Sequence, residues 1–518
     1  MESSFCPSNL AAAVALYTLL HALILVLYRL FLSPIAAFPG PILARVTFLY
    51  EFYYDFVRDG QYYRRIGEMH EKYGPIVRVT PEELHIRDAE YYNTLYVPYD
   101  DRKTNGYFRS SLGVGFDDIL KPSVSHDLHR IVKSRVSLSF TTSAILPAEA
   151  KVLAKVKTLC ERLNCLVGTD TPVHLSNAFR SLSMGGCHPF FSLSKKFRDL
   201  SWFGNWPDVG NNWSNLRLSQ AKVTFLGEVE YREHNKIPPP GAILIFLYPL
   251  LTLTVAQQSR QEILACKAQH KDESKAHSFV TALDGLVHDN AVQAVLGEKG
   301  IYHLAQVIQQ GGTYNPSYCL IIVVFSLLRD EEKQEKLRNA LQPLFAQDPK
   351  RDPSWQELEK VPYLAGCVKE ALRLGAAGLT RLARVAPGVE LRYGDWVIPK
   401  GTPASMTQYW MHVDPDVFSN PHAFEPTRWM VDPEKLRVMR RYFMPFSRGS
   451  RSCPGRNVGL MAINHTIAQL FRPGAPRMLL HDTDESDITA CRGFVTPLPA
   501  ASSGGLRVIL RESPTKGE

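Results

Sequence analysis

Near the C-terminus Cys453 lies in FMPFSRGSRSCPGRNVGL, residues 443–460, with glycines on both sides and an arginine two positions before it. A structural cysteine needs only apolar neighbours, whereas this one is set among Gly449, Arg451, Pro454 and Gly455. Glycine permits a tight turn and a close approach of backbone to a flat ligand, and amide groups in such a turn donate to a thiolate sulfur. The helical pattern of VGLMAINHTIAQLF, from Val458, sets that sulfur near a helix N-terminus, where negative charge is favoured. Arg451 is placed to pair with a carboxylate on the ligand, and Phe446 supplies an aromatic wall. The loop reads as a thiolate held against a flat, acid-bearing ligand.

Upstream, KVPYLAGCVKEALRLG places Glu370 and Arg373 at i and i+3, on one helix face. On a surface such a pair contributes little. Arg428, in FEPTRW, can complete a buried Glu–Arg–Arg network, in which every ion must be paired.

These motifs resemble those of the cytochrome P-450 superfamily, the haem-thiolate monooxygenases. Residues 446–455, FSRGSRSCPG, match F-x-x-G-x-R-x-C-x-G, and the E-x-x-R at 370–373 and the F-x-P-x-R-W at 424–429 follow in the family's order. The resemblance covers essentially the whole chain and is most similar to fungal microsomal members, such as the trichodiene oxygenase type, that act in secondary metabolism. It implies haem with Cys453 as the axial thiolate, whose electron donation favours O–O cleavage. It implies Arg451 and Arg384 as partners of the haem propionates. On HDLHRIVKSR the family has Trp or His and then Arg four residues later; here stand His129, with Arg130 adjacent, and Lys133 in place of the arginine.

The family's central helix carries A/G-G-x-D/E-T over the haem. This chain reads QQGGTYNPS, residues 309–317: Thr313 is in place, Tyr314 stands at the acid and Asn315 at the threonine. That acid–alcohol pair relays protons to dioxygen, so Thr313, Tyr314 and Asn315 are the candidate catalytic residues. Pro316 removes a helical N–H and predicts a kink there. Asn315 either holds the water that a threonine would hold, or the enzyme rearranges an oxidised substrate without activating oxygen, as an isomerase or dehydratase, or the chain binds haem without turnover.

The elements that position these residues follow from periodicity. Helical patterning recurs at 126–138, 298–345, 355–374 and 455–472, YYRRIGEMHEKYGPIVRV reads as a helix running into a strand across Gly74-Pro75, and VELRYGDWVIPKGTPASM reads as a small sheet. The fold class expected is mainly α with a minor β portion, one large haem-thiolate monooxygenase domain over 46–518. Residues 1–32 form a membrane anchor and 33–45 a proline-rich hinge. The anchor, LAAAVALYTLLHALILVLY, carries no charge and at about 1.5 Å per residue spans most of a ~30 Å hydrocarbon core. Arg29 follows it and no Lys or Arg precedes it, which puts the N-terminus in the lumen and the body in the cytosol of the endoplasmic reticulum membrane. Asn212 and Asn464, both in glycosylation sequons, are then expected bare.

Of the 518 residues 45% are hydrophobic and 21% charged, with a net charge of +8. Lys and Arg are scattered in ones and twos, which argues against a nucleic-acid binder and for anionic lipid or an acidic redox partner. Nine cysteines, widely spaced and without a C-x-x-C pair, argue against a disulfide framework and for a reducing compartment. No flavin or nucleotide fingerprint stands on the chain, GVG at 113–115 being too short, so the resemblance implies electrons from NADPH through a separate reductase. That partner would dock on the cysteine side, at Arg448, Arg451 and Arg456, and the substrate would be a small lipophilic terpenoid or polyketide, hydroxylated or epoxidised. The Trp-, Asn- and Gly-rich stretch 192–235 has weak periodicity, and the apolar run 237–255 is either a core segment or a surface dipping into the membrane.

Overall fold

The long helices are those whose apolar residues return on one face. Glu149–Asn164 buries Val152, Val156, Leu159 and Leu163, the stripe of a helix lying on a core. Two other helices start at side-chain caps: Ser125 Oγ accepts from Leu128 N–H, and Asp289 Oδ1 accepts from the Ala291 and Val292 amides at 2.9 and 3.0 Å, satisfying donors that the first turn leaves free. The computed structural model describes residues 7–111, 123–187, 286, 288–347, 351–375, 378–493 and 497–513. The stretch 192–255, with Asn212, and the glycines at 113–115 lie outside them.

The principal helices are α1 (Pro7–Leu27), α2 (His126–Leu138), α3 (Glu149–Asn164), α4 (Leu175–Cys187), α5 (Asn290–Leu328), α6 (Glu331–Gln347), α7 (Pro362–Gly375) and α8 (Arg456–Phe471). Helices α3, α4, α5, α7 and α8 meet around Phe179, Val323, Leu327, Leu364, Ile467 and Phe471, all without exposed surface. Residues Gly311–Leu328 of α5 are apolar enough to cross a membrane, yet they are the buried axis of this core, as a helix apolar on every side should be. Proline 316 does not break α5. Its backbone stays helical, and the non-helical residue is Gly297 at φ 63°, where the lack of a Cβ makes a left-handed backbone inexpensive.

The β portion is small. A five-stranded sheet runs in the order Ile76–Arg78, Leu84–Ile86, Pro403–Ser405, Arg384–Val385, Asn105–Gly106, with Leu84 parallel to Ala404 and the other pairs antiparallel. It holds Arg384 between two strands. The segment from Val389 forms the hairpin Leu391–Tyr393/Trp396–Ile398, turned by Gly394 at φ 54°. The molecule is mainly helical with a minor sheet. At the N-terminus α1 passes through a π-helical turn, Tyr28–Leu32, and Ala12–Leu32 is long and apolar enough to cross a membrane.

Two histidines are buried in series, His70 on the helix Tyr62–Tyr73 and His85 on the strand Leu84–Ile86. His70 Nδ1 lies 2.8 Å from Gly74 O, His70 Nε2 lies 2.7 Å from His85 Nδ1, and His85 Nε2 lies 2.9 Å from Thr407 Oγ1. The carbonyl requires a proton on His70 Nδ1. His85 Nδ1–H then donates to His70 Nε2, and the threonine hydroxyl donates to His85, so both rings are satisfied when neutral. Burial pushes His70 down to about 4, opposed by its bond to Gly74, and also pushes His85 well below the ordinary histidine value. The unfolded chain therefore takes up protons first as the pH falls below the ordinary histidine value, and the stability due to His70 is lost between about 6.5 and 4. Urea unfolding of the wild type should lose about 2 kcal/mol more between pH 7.5 and 5 than that of His70→Gln; equal losses would show that the pair does not titrate in this way.

Candidate active site

The cysteine loop is built on positions that few residues can occupy. Gly449 has φ 71°, and a Cβ there would strike the Tyr96 and Val97 carbonyl oxygens, so glycine is required. The Ser450 amide donates to Val97 O at 2.8 Å and the Cys453 amide to Phe446 O at 2.8 Å, which closes the loop against the 96–97 backbone. Ser447, at φ 55°, shares a 3.0 Å hydrogen bond with Tyr92. Helix α8 starts at Arg456 with Gly455 at its N-cap. Cys453 is open to solvent on one side and surrounded by protein on the others. Burial pushes its thiol up, opposed by the Gly455 amide and by Lys133, the features that favour a thiolate once a cation faces the sulfur.

Three elements bring cations to this loop. From α2, Lys133 Nζ bonds Ser452 O, and His129 Nδ1 bonds the Tyr99 hydroxyl. From the loop itself, Arg451 donates to Ser123 O and, at 3.0 Å, to Val124 O. From the sheet, the Arg384 guanidinium lies 5.3 Å from the centre of the Tyr96 ring. Burial pushes all four down, with His129 at about 3, Lys133 at about 8 and Arg451 at about 10, and the neighbouring cations add to the effect at those three. His129 is then neutral, and the like charges of Lys133, Arg384 and Arg451 are unfavourable together unless an anion joins them. Among the described residues no carboxylate pairs with Lys133, Arg384 or Arg451, and Arg451 Nε is buried without a partner. A flat ligand with two carboxylates beside Cys453 fits these residues. Arg130 is not part of the group: it is more than half exposed and pairs with Asp100 at 3.0 Å.

Glu370 and Arg373 have no exposed surface. Arg373 Nε and Nη2 donate to the two Glu370 oxygens at 2.9 and 2.8 Å, and its other donors reach the carbonyls of His412 and Ala423 at 3.0 Å. Glu370 also accepts from Arg428 Nε at 3.3 Å, from Trp429 Nε1 at 2.9 Å and from the Glu425 amide at 2.9 Å. His412 connects this network to the cysteine loop. Its Nδ1 lies 3.2 Å from Arg373 O and its Nε2 accepts from the Met444 amide at 2.9 Å. Sequence reasoning missed it because its partners lie 39 and 32 residues away, and no local spacing marks it.

The residues of the central helix separate. Thr313 is buried, Tyr314 partly so, and Asn315 exposed, with Nδ2 3.4 Å from Gly311 O. Next to it, α5 crosses the first turn of α8: a Cβ at Gly459 would stand 3.9 Å from Pro316 Cγ. Pro316, the residue after Asn315, thus adjoins the helix that starts at the cysteine loop.

Comparison with known proteins agrees with this geometry. The family model for cytochrome P450 matches residues 216–492. A cytochrome P450 monooxygenase of Cochliobolus heterostrophus is 34% identical over 96% of both chains. A fusicoccadiene C-8 hydroxylase of Phomopsis amygdali is 32% identical over 95% of each, and a stellatic acid synthase of Emericella variicolor 31% identical over 95% of this chain and 93% of its own.

The chain belongs to the cytochrome P450 family.

It is a haem-thiolate monooxygenase of the fungal secondary-metabolism type, and membership brings haem with an axial cysteine thiolate. Enzymes of this P450 family use a redox-partner reductase and lipophilic substrates, and the apolar N-terminal helix agrees with a membrane-anchored form. Two substitutions test how the P450 site is held. Glu370→Gln leaves the Arg373 guanidinium buried without its counter-ion and should cost about 3–5 kcal/mol, seen as loss of folded, haem-loaded protein. His412→Ala leaves the Met444 amide without its acceptor, at about 1–3 kcal/mol; the protein should fold but lose part of its red-shifted Soret band when reduced with carbon monoxide. An unchanged band would remove His412 from the support of the loop.

Proposed function

We propose that Cys453 is the axial ligand and that Arg384, Arg451 and Lys133, with His129 at their edge, hold the two propionates. The observation that carries this reading is the cluster of half-buried cations beside the cysteine with no acidic partner among the described residues. When bound, haem supplies the redox chemistry that puts one oxygen atom of dioxygen into a C–H or C=C bond. The rest falls to the chain. Gly455, where a Cβ would meet only Cys453 Sγ at 4.0 Å, leaves room for a flat group beside the sulfur, Gly449 lets the loop close on the 96–97 backbone, and Phe446 supplies an aromatic wall; the Gly455 amide and Lys133 stabilise negative charge on sulfur. Glu370, Arg373 and Arg428 fix the scaffold. On α5 the exposed amide of Asn315 orders the water that carries protons to the site, with Tyr314 beside it and Thr313 packed inside.

The substrate is a small lipophilic molecule, a terpenoid or polyketide, hydroxylated or epoxidised. A relative named for hydroxylating fusicoccadiene, a diene by its name, supports an apolar substrate. Electrons come from NADPH through a separate reductase that docks on the cysteine side. Arg451 is turned inward to Ser123 and Val124, so docking charge falls to Arg448 and the exposed Arg456. The anchor, 1–32, holds the protein in the endoplasmic reticulum membrane, with 33–45 linking it to a cytosolic body, 46–518. Asn464 carries no glycan: its Nδ2 is engaged with Leu460 O at 2.8 Å inside α8.

Turnover with labelled dioxygen tests the reaction. Product should carry one labelled oxygen atom and should fail to form when the reductase is omitted; product formed without reductase would point to the isomerase or dehydratase reading. Asn315→Thr should raise the fraction of NADPH consumption that ends in product, or leave it unchanged. A collapse would contradict the water-ordering role, because threonine orders water there too.

A further inference from the structure

The cysteine loop is entered through a turn that its own sequence does not hold in place. The Ser447 amide donates to Met444 O at 2.9 Å, and Pro445 follows Met444, the arrangement of a β-turn with proline at its second position. Its last residue, Ser447, stands at φ 55°, a left-handed backbone that a residue with a Cβ keeps only when its surroundings enforce it. The turn bears on the sulfur because Phe446 lies within it, and Phe446 O accepts from the Cys453 amide at 2.8 Å. Two residues beyond the cysteine, the Gly455 amide favours negative charge on that sulfur. A shift of the turn is therefore passed on to the thiolate.

Two side chains from one short helix grip the turn. Gln408 and His412 are the first and last residues of the helix Gln408–His412 and, four apart, share a face. Gln408 Nε2 donates to Met444 O at 2.7 Å, and His412 Nε2 accepts from the Met444 amide at 2.9 Å. Both backbone polar groups of Met444 are thus held by the same helix. The Met444 carbonyl only accepts, which sets the nitrogen of the Gln408 amide, not its oxygen, against it. The second hydrogen on that nitrogen goes to the Tyr92 hydroxyl at 3.2 Å, and Tyr92 then gives its own hydrogen to Ser447 Oγ at 3.0 Å. Gln408, Tyr92, Ser447 and Met444 close a hydrogen-bonded ring around the turn. Gln408 is 4% exposed and Tyr92 0%. A buried amide is costly unless its hydrogens are used, and here both are used on the turn or on the tyrosine that reaches it. Tyr92 also packs on Tyr96, with ring centres 4.2 Å apart, and the Tyr96 carbonyl is the one that stands against Gly449.

We propose that Gln408, acting with Tyr92, is a positioning residue for the Cys453 thiolate: the ring holds the 444–447 turn so that the loop keeps the Gly455 amide directed at the sulfur. The proposal rests on the reading of Cys453 as the axial ligand. An amide hydrogen bond to a ligating sulfur withdraws charge from it and makes the iron easier to reduce. A turn freed from the ring lets that bond lengthen, so the sulfur donates more strongly and the reduction potential falls.

The test uses the full, haem-loaded chain with Gln408→Leu, which removes the amide at similar volume, and Tyr92→Phe, which removes one hydroxyl. The red-shifted Soret band of the reduced carbon monoxide form reports folding and ligation in each protein. The readouts are the haem reduction potential and hydrogen–deuterium exchange of the amides in 443–455. In Gln408→Leu exchange over 443–455 should be about tenfold faster, with the rest of the chain unchanged, and the potential should be more negative. Tyr92→Phe should move both in the same direction by less. Exchange and potential equal to those of the wild type, in variants that keep the band, would overturn the proposal. Faster exchange spread over the whole chain would overturn it too, since that is plain destabilisation. Should Gln408→Leu fail to load haem, Tyr92→Phe decides by the same two readouts. A wild type without the red-shifted band would overturn the ligand reading and the proposal with it.

Discussion

The architecture around the cysteine depends on one carboxylate with no exposed surface. Glu370 accepts from Arg373, Arg428, Trp429 and the Glu425 amide, so it joins α7 to the Phe424–Trp429 segment. An ionised carboxylate taken out of water is tolerated only when every lone pair is used, and here the demand is met by residues from distant parts of the chain. Because Arg373 also holds the His412 carbonyl, and His412 in turn accepts from the Met444 amide, the same constraint extends to the segment that enters the cysteine loop. The loop's two ends are then fixed independently: by this chain of hydrogen bonds at Met444 and by the packing of α8 at Val458.

On the other side of the loop the requirement is reversed. Lys133, Arg384 and Arg451 come from a helix, a strand and the loop; burial pushes each toward its neutral form, and neighbouring cations add to this at Lys133 and Arg451. Close packing of like charges is costly, and a protein that builds it gains when an anion arrives. The scaffold network satisfies its own charges, and the cation group leaves the balance to a ligand. That contrast separates a structural ion cluster from a binding one.

Much of this was legible in the sequence, where local spacing carries the information. The helices at 126–138 and 456–471, the hairpin after Val389 and the turn at Gly74 follow from periodicity and turn chemistry. The glycines and arginine around Cys453 declared a thiolate loop, and Glu370 and Arg373 declared a shared face. Contacts between segments far apart in sequence were not legible. His412 has no local signature, and Arg130 and Lys133, three residues apart, look equivalent until α2 is seen to turn one toward Asp100 and the other toward Ser452. The periodic segment read from residue 298 begins directly after Gly297, where the backbone leaves the helix, whereas the helical φ/ψ at Pro316 carries no such interruption.

The measurement that tests the account most directly is the absorbance difference spectrum of the reduced protein with carbon monoxide, wild type beside Cys453→Ser. A strongly red-shifted Soret band in the wild type, absent from the variant while haem is still bound, is the result expected of a thiolate from Cys453 on the iron. The same red-shifted band in both proteins would contradict the ligand assignment, and with it the reading of the cation cluster as a propionate cradle.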